Sequence, residues 1–229
     1  MEHLLLLHGA IGGSDQLQPL AEALQHKYNV HTINFSGHGG SAIPDEPFSI
    51  PMFAAQILDW LQENDIPEIN LFGYSMGGYV SLYLAKFHPQ KIKKAITLAT
   101  KFYWDEAIAA KEEKLLDADI ILQKIPAFAQ QLIHRHAPQD WKMVLEKTKE
   151  LLQGLGKNNT LQLTDYANIT TPVLLLLGDQ DKMITIEETV AVFELLPHAQ
   201  MGMLPGTPHP IEHVHVNTLV FFINNFLEK

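Results

Sequence analysis

Short, unbroken apolar runs recur along this chain. They lie at residues 4–7, 30–35, 69–72, 95–98 and 173–177, with a weaker one at 201–204. Runs this short, bounded by turn residues, predict strands buried on both faces. Helical spacing fills most of the gaps. It predicts helices from a Ser14 cap to Gln25, over 53–64, over 77–87 where Pro89 stops it, and over 213–227. Thr185, with Glu188 in the same first turn, forms a capping box for a helix ending at Pro197.

Strands alternating with helices predict an α/β fold, a parallel sheet of about six strands covered by helices on both faces. The alternation fails between residues 101 and 171, where helical patterns at 104–117, 120–136 and 139–154 follow one another. The expected organisation is a core of residues 1–100 and 172–229 carrying a helical lid at 101–171.

Bulk properties narrow the function. The chain has 229 residues, 46% hydrophobic and 18% charged, enough for one domain with an insertion. Its net charge of −10 works against polyanions, so nucleic acid is not an expected partner. The absence of cysteine excludes thiol nucleophiles and disulfides and fits a reducing compartment. Met1-Glu2-His3 carries no basic stretch, and the apolar run after it is too short for a signal peptide or a membrane span. The expectation is a cytoplasmic protein acting on a small molecule, away from membranes.

Gly73-Tyr74-Ser75-Met76-Gly77 has the G-x-S-x-G spacing. A serine hydroxyl is a weak nucleophile unless it is exposed beside a base. A tight strand-to-helix turn flanked by glycines achieves that exposure, and here a predicted strand precedes it and a predicted helix follows. Ser75 is therefore the candidate nucleophile. Asp179 and Asp181 both follow the fifth strand, at the end where parallel sheets present ligand-facing groups. Asp181, further past the turn glycine Gly178, is preferred over Asp179, which suits a turn residue binding local amides. His209 lies between the sixth strand and the last helix, as a base requires. The amides of Met76 and Ala10 are the candidate oxyanion donors.

Taken together these residues resemble the α/β-hydrolase superfamily over nearly the whole chain, most weakly in the lid. His8-Gly9 resembles its oxyanion-loop His-Gly, and Gly37-His38-Gly39-Gly40-Ser41 its G-H-G-x-S loop. Gly178-Asp179-Gln180-Asp181 and Gly206-Thr207-Pro208-His209 resemble its acid and base motifs. The resemblance implies a serine esterase with the triad Ser75, Asp181 and His209, requiring no cofactor or metal. Carbon–carbon bond cleavage, elimination or perhydrolysis on the same triad are alternatives, as is a non-catalytic binding protein. A metal site on His209, Glu212, His213 and His215 is a remoter one. The hairpin that usually precedes the His-Gly strand is missing, so the strand at 30–35 is expected outside it at a sheet edge. His38 is expected to be structural.

Phe102, Trp104, Phe128 and Met183 are the candidate substrate-binding residues. Phe102, Tyr103 and Trp104 follow the fourth strand and are expected either to wall the pocket or to bury themselves in the base of the lid, and Ile120, Ile121, Ile125, Phe128 and Leu132 recur at helical spacing, a face that a lid turns towards the crevice. Arg135 is the sole arginine, which favours small or medium, uncharged, largely apolar acyl groups.

Overall fold

Leu4, Leu5, Leu6 and Leu7 have no exposed surface, so both faces of the strand they form are covered. In the computed structural model, which describes residues 1–228, this strand is β1 (His3–Leu7). It is joined by β2 (Asn29–Thr32), β3 (Ile69–Tyr74), β4 (Ile92–Leu98), β5 (Val173–Gly178) and β6 (Ala199–Leu204). All pairings are parallel, in the order β2-β1-β3-β4-β5-β6. As expected, β1 is second from an edge with β2 outside it.

Period-two alternation divides the strands between two cores. Leu4, Leu6, Phe72, Ile96 and Leu174 pack with Leu20 and Leu24 of α1 (Gln18–Leu24) and with Leu219 and Ile223 of α10 (Val216–Leu227). On the other face Leu5, Leu71, Ala95 and Leu175 pack with Phe53 and Ile57 of α2 (Ile50–Glu63) and Val80 of α3 (Met76–Phe87). Val192 of α9 (Ile186–Leu195) joins this second core.

Between β4 and β5 run α4 (Glu106–Glu113), α5 (Ala118–Lys124), α6 (Pro126–His136), α7 (Trp141–Lys157) and the short α8 (Leu163–Tyr166). Several boundaries differ from expectation. The single helix expected over 120–136 is two helices, because Pro126 lacks the amide a continuing helix needs and holds Ile125 at φ −137°, ψ 59°. The first helix begins only at Glu106, since the Asp105 side chain caps it by accepting from the Ile108 amide at 2.8 Å. Ser14 is not a helix cap: it opens a 3-10 turn, Ser14–Leu17, that precedes α1. The last helix starts at Val216, after a 3-10 turn at Ile211–His213.

The insert has its own core of Ile121, Ala129, Leu132, Trp141 and Leu145. Ile121 and Leu132 thus hold the helices to one another, while Ile120 and Ile125 are exposed. The apolar stripe expected to face the crevice is spent largely on packing within the insert.

Candidate active site

Ser75 sits where β3 turns into α3, at φ 50° and ψ −115°, a conformation rare for a residue with a side chain. Close packing holds it there. A Cβ on Gly73 would lie 2.3 Å from the Gly77 carbonyl carbon, and one on Gly77 would lie 2.5 Å from the Leu7 oxygen. The Ser75 amide donates to the Leu98 oxygen at 2.8 Å, fixing the turn to β4. The result is a half-buried serine on an otherwise buried segment.

Asp181 lies in the loop after β5 and His209 in the loop after β6. His209 Nδ1 and Asp181 Oδ2 are 2.8 Å apart. The other carboxylate oxygen accepts from the amides of Met183 and Ile184 at 2.8 and 2.9 Å. The Asp181 side chain is 1% exposed. Burial alone would push its carboxyl up, but the His209 and amide hydrogen bonds outweigh that and hold it below the usual carboxylate range. Asp179 does other work: its Oδ1 accepts from the Thr207 amide at 3.1 Å, tying the two loops together. Sequence reading missed Tyr74, whose hydroxyl donates to the His209 carbonyl at 3.1 Å. Burial drives the Tyr74 hydroxyl far above its ordinary range, so it remains a donor.

The loop after β1 turns tightly, with Gly12 N donating to Gly9 O at 3.2 Å and Ile11 at φ 51°. His8 braces it: its Nδ1 meets the Gly9 oxygen at 2.7 Å and its Nε2 accepts from the Phe35 amide at 3.1 Å. The Ala10 and Met76 amides are not engaged by other groups of the described residues. Ser75, His209, Ala10 and Met76 all line one cavity of about 280 Å³. The Ser75 hydroxyl and the His209 ring face it together without a mutual hydrogen bond, a link that commonly tightens only with substrate bound.

Of the four candidate substrate-binding residues, Trp104, Phe128 and Met183 line the same cavity. Phe102 does not. Glu188 accepts from the amides of Phe102 and Tyr103 at 2.6 and 2.9 Å, and this anchor turns the Phe102 ring into the core against Tyr166, leaving it 2% exposed. Glu188 therefore completes only half of the expected capping box: Thr185 Oγ1 accepts from its amide, but its carboxylate serves the insert. Sequence reading also missed the largest contribution of the insert. Thr148, Leu151, Leu152 and Leu155 of α7 line the cavity, and their i, i+3, i+4, i+7 spacing was the available signal.

Arg135 of α6 also reaches the cavity and spans insert and core, its Nε 3.1 Å from Asp15 and its Nη2 3.5 Å from Glu212. His213 and His215 are exposed, His213 in the 3-10 turn and His215 immediately before α10. Among the described residues no three His, Asp or Glu side chains converge as a metal site would require. No helix among them is long and apolar enough to cross a membrane.

Residues 2–154 match the family of the α/β hydrolase fold. The chain belongs to that family. It is similar to the pimeloyl-[acyl-carrier protein] methyl ester esterase of Vibrio parahaemolyticus, 27% identical over 227 residues that cover 90% of this chain and 86% of the esterase. Among solved structures it resembles the 2-hydroxy-6-oxo-6-phenylhexa-2,4-dienoate hydrolase of Rhodococcus sp. strain RHA1, with a TM-score of 0.83 at 16% identity, covering 100% of this chain and 91% of that one. The enol-lactonase of Burkholderia xenovorans superposes with a TM-score of 0.80 at 18% identity, over 100% of this chain and 92% of its own. The chain is an α/β-fold hydrolase.

Proposed function

We propose that this hydrolase is a serine carboxylesterase. Ser75 acts as nucleophile, His209 as base and Asp181 as its orienter, while the amides of Met76 and Ala10 receive the oxyanion. The observation that carries the reading is the strained Ser75 turn opening onto the same cavity as an imidazole held by a buried carboxylate. The Asp181 carboxylate accepts a hydrogen bond from the Nδ1–H of His209, which leaves Nε2 unprotonated and free to take the proton of the Ser75 hydroxyl. Serine Oγ then attacks the ester carbonyl, and the carbonyl oxygen gains the charge that the two amides stabilise. His209 passes its proton to the departing alcohol, leaving an acyl-enzyme. Water, activated by the same imidazole, repeats the sequence and releases the acid.

The acyl group is assigned to the slot formed by Leu116, Phe128, Leu151 and Leu155, with the insert serving as its lid. Arg135, the sole arginine, is committed to Asp15 and Glu212, which argues against recognition of a carboxylate-rich substrate. Each methylene buried in such a slot stabilises by roughly 0.8 kcal/mol, or about fourfold in kcat/KM. The test is a series of p-nitrophenyl esters from acetate to laurate, with fluorophosphonate labelling in parallel. The expected outcome is a rise over the first few carbons, then a fall when the slot is full, with labelling lost in Ser75→Ala. Labelling that survives in Ser75→Ala removes the nucleophile assignment, and a flat profile removes the slot.

A further inference from the structure

Most of the ionisable side chains lining the cavity have a partner of opposite type. Lys101 Nζ lies 3.3 Å from Glu188, Arg135 is held by Asp15 and Glu212, and His209 is held by Asp181. Glu112 stands apart. It lies on α4 and lines the cavity, it is 4% exposed, and its Oε2 has no hydrogen-bond partner. A carboxylate sequestered from water is strongly disfavoured unless a cation or donor meets it.

A second acceptor lines the same cavity. Thr148 of α7 is 1% exposed, and its hydroxyl proton is already given to the Val144 oxygen at 2.7 Å. Its oxygen can therefore only accept. Helices α4 and α7 lie close, since a Cβ on Gly156 would come within 2.7 Å of Ala109 Cβ. The neighbouring lining is apolar: Leu116, Leu151, Leu152 and Leu155. A carboxylate and an acceptor-only hydroxyl among leucines fit a ligand that brings both positive charge and protons to donate.

We propose that Glu112 and Thr148 form a subsite for a protonated primary amine, carried at the far end of an otherwise apolar acyl chain. The proposal rests on the esterase reading for its substrate. It narrows the expectation of an uncharged acyl group: the slot stays apolar, and its polar end takes an ammonium. The ammonium supplies three donors and the counter-charge that Glu112 lacks.

The test compares p-nitrophenyl esters of aminocaproate, hydroxycaproate, heptanoate and the adipate half-ester, with wild type, Glu112→Gln and Thr148→Val. The ratio of two substrates on one variant is insensitive to how much of that variant is folded. Wild type is expected to prefer aminocaproate over heptanoate by about tenfold or more in kcat/KM, with adipate slowest. Glu112→Gln is expected to abolish the preference and Thr148→Val to weaken it. An aminocaproate-to-heptanoate ratio equal in wild type and Glu112→Gln overturns the subsite, as does hydroxycaproate matching aminocaproate. Calorimetric titration with n-hexylammonium against 1-hexanol separates this from the reaction itself. Hexylammonium binding that is lost in Glu112→Gln supports the subsite even if no ester is cleaved. Esters cleaved without ammonium binding leave the esterase and remove the subsite.

Discussion

The strand-end loops and the helical insert border one cavity, but they are constrained in different ways. On the sheet side the Ser75 turn and the Asp181 carboxylate are fixed by backbone. The Ser75 amide is bonded to β4, Gly73 and Gly77 tolerate no side chain, and the Asp181 carboxylate is held by two amides and an imidazole. On the insert side the lining is mostly leucine and aromatic side chain, and the insert leaves Leu115 61% and Ile125 54% exposed. Backbone contacts specify one geometry, whereas apolar side chains accept volume-conserving change at modest cost. On the proposed esterase reading, reaction geometry and substrate shape are placed on separate parts of the chain. Substitutions on the two sides are expected to fail in different ways.

The largest effect is expected at the acid. Asp181→Asn leaves the fold intact but removes the anion that supports the imidazolium, and is expected to lower kcat by roughly 10⁴. Asp179→Asn keeps an oxygen for the Thr207 amide and is expected to change kcat by less than about tenfold. Steady-state kinetics on both variants decides the matter. The opposite ranking would move the acid role to Asp179 and dissolve the contrast between a fixed reaction centre and a tie between loops.

Next comes the turn itself. Gly77→Ala places a Cβ 2.5 Å from the Leu7 oxygen and 2.7 Å from the His8 oxygen, both backbone atoms that cannot swing aside. The expected loss is about 3 kcal/mol, or roughly 6–12 °C in Tm for a chain of this length. A calorimetric Tm within about 2 °C of wild type would show that the sheet side is more compliant than described.

The sequence disclosed the two sides unequally, for the same physical reason. β1, the Ser75 turn, Asp181 and His209 were legible because backbone constraint demands particular residue types, such as glycine beside the serine and leucine on both faces of a central strand. In the insert, helices were legible but their breaks and facing were not. Ile121 and Leu132 share the period of a cavity-facing stripe, yet tertiary packing within the insert claims them. Phe102 looked like pocket wall until Glu188, far along the chain, proved to turn its backbone inward. Glu112 carried no local signal, since a glutamate on a helix is ordinarily a solvated one.

Three buried histidines join the two sides and give a pH-dependent effect of intermediate size. His8 and His38 belong to the sheet loops and His136 to α6, with ring centroids 5.3 Å apart for His8–His38 and 6.0 Å for His38–His136. His8 donates from Nδ1 to Gly9 and accepts at Nε2 from Phe35; His136 donates from Nε2 to Ile11 and accepts at Nδ1 from the Gly39 amide at 3.2 Å. A second proton on either ring would set N–H against N–H. Burial lowers all three, His8 to about 4 and His38 well below its ordinary value. Because the unfolded chain binds these protons first, stability is full above about pH 6.5 and is lost progressively as pH falls towards 4. His8 alone accounts for about 3 kcal/mol of that loss at its limit. Urea midpoints measured from pH 7.5 to 4.5 are expected to fall, and a flat series would mean that the histidine bridge does not couple the two regions.

The smallest expected effect lies in the insert. Gly154 is an exposed residue inside α7, and an added Cβ there meets nothing within 4 Å. Glycine costs a helix interior about 1 kcal/mol relative to alanine, through the backbone freedom it gives up on folding. Gly154→Ala is therefore expected to raise stability by about 0.5–1 kcal/mol and Tm by roughly 1–4 °C. The same change that overlaps backbone at Gly77 finds open space here, so the pair measures the difference between the regions with one kind of substitution. Activity adds a further reading. If α7 turns as a rigid wall of the pocket, stiffening it leaves kcat/KM for short esters within about twofold. If the insert must flex to admit substrate, kcat falls while Tm rises, with the loss growing along the acyl series. A variant that loses stability would show that α7 is held in a conformation the alanine cannot adopt, and would place backbone constraint on the insert side as well.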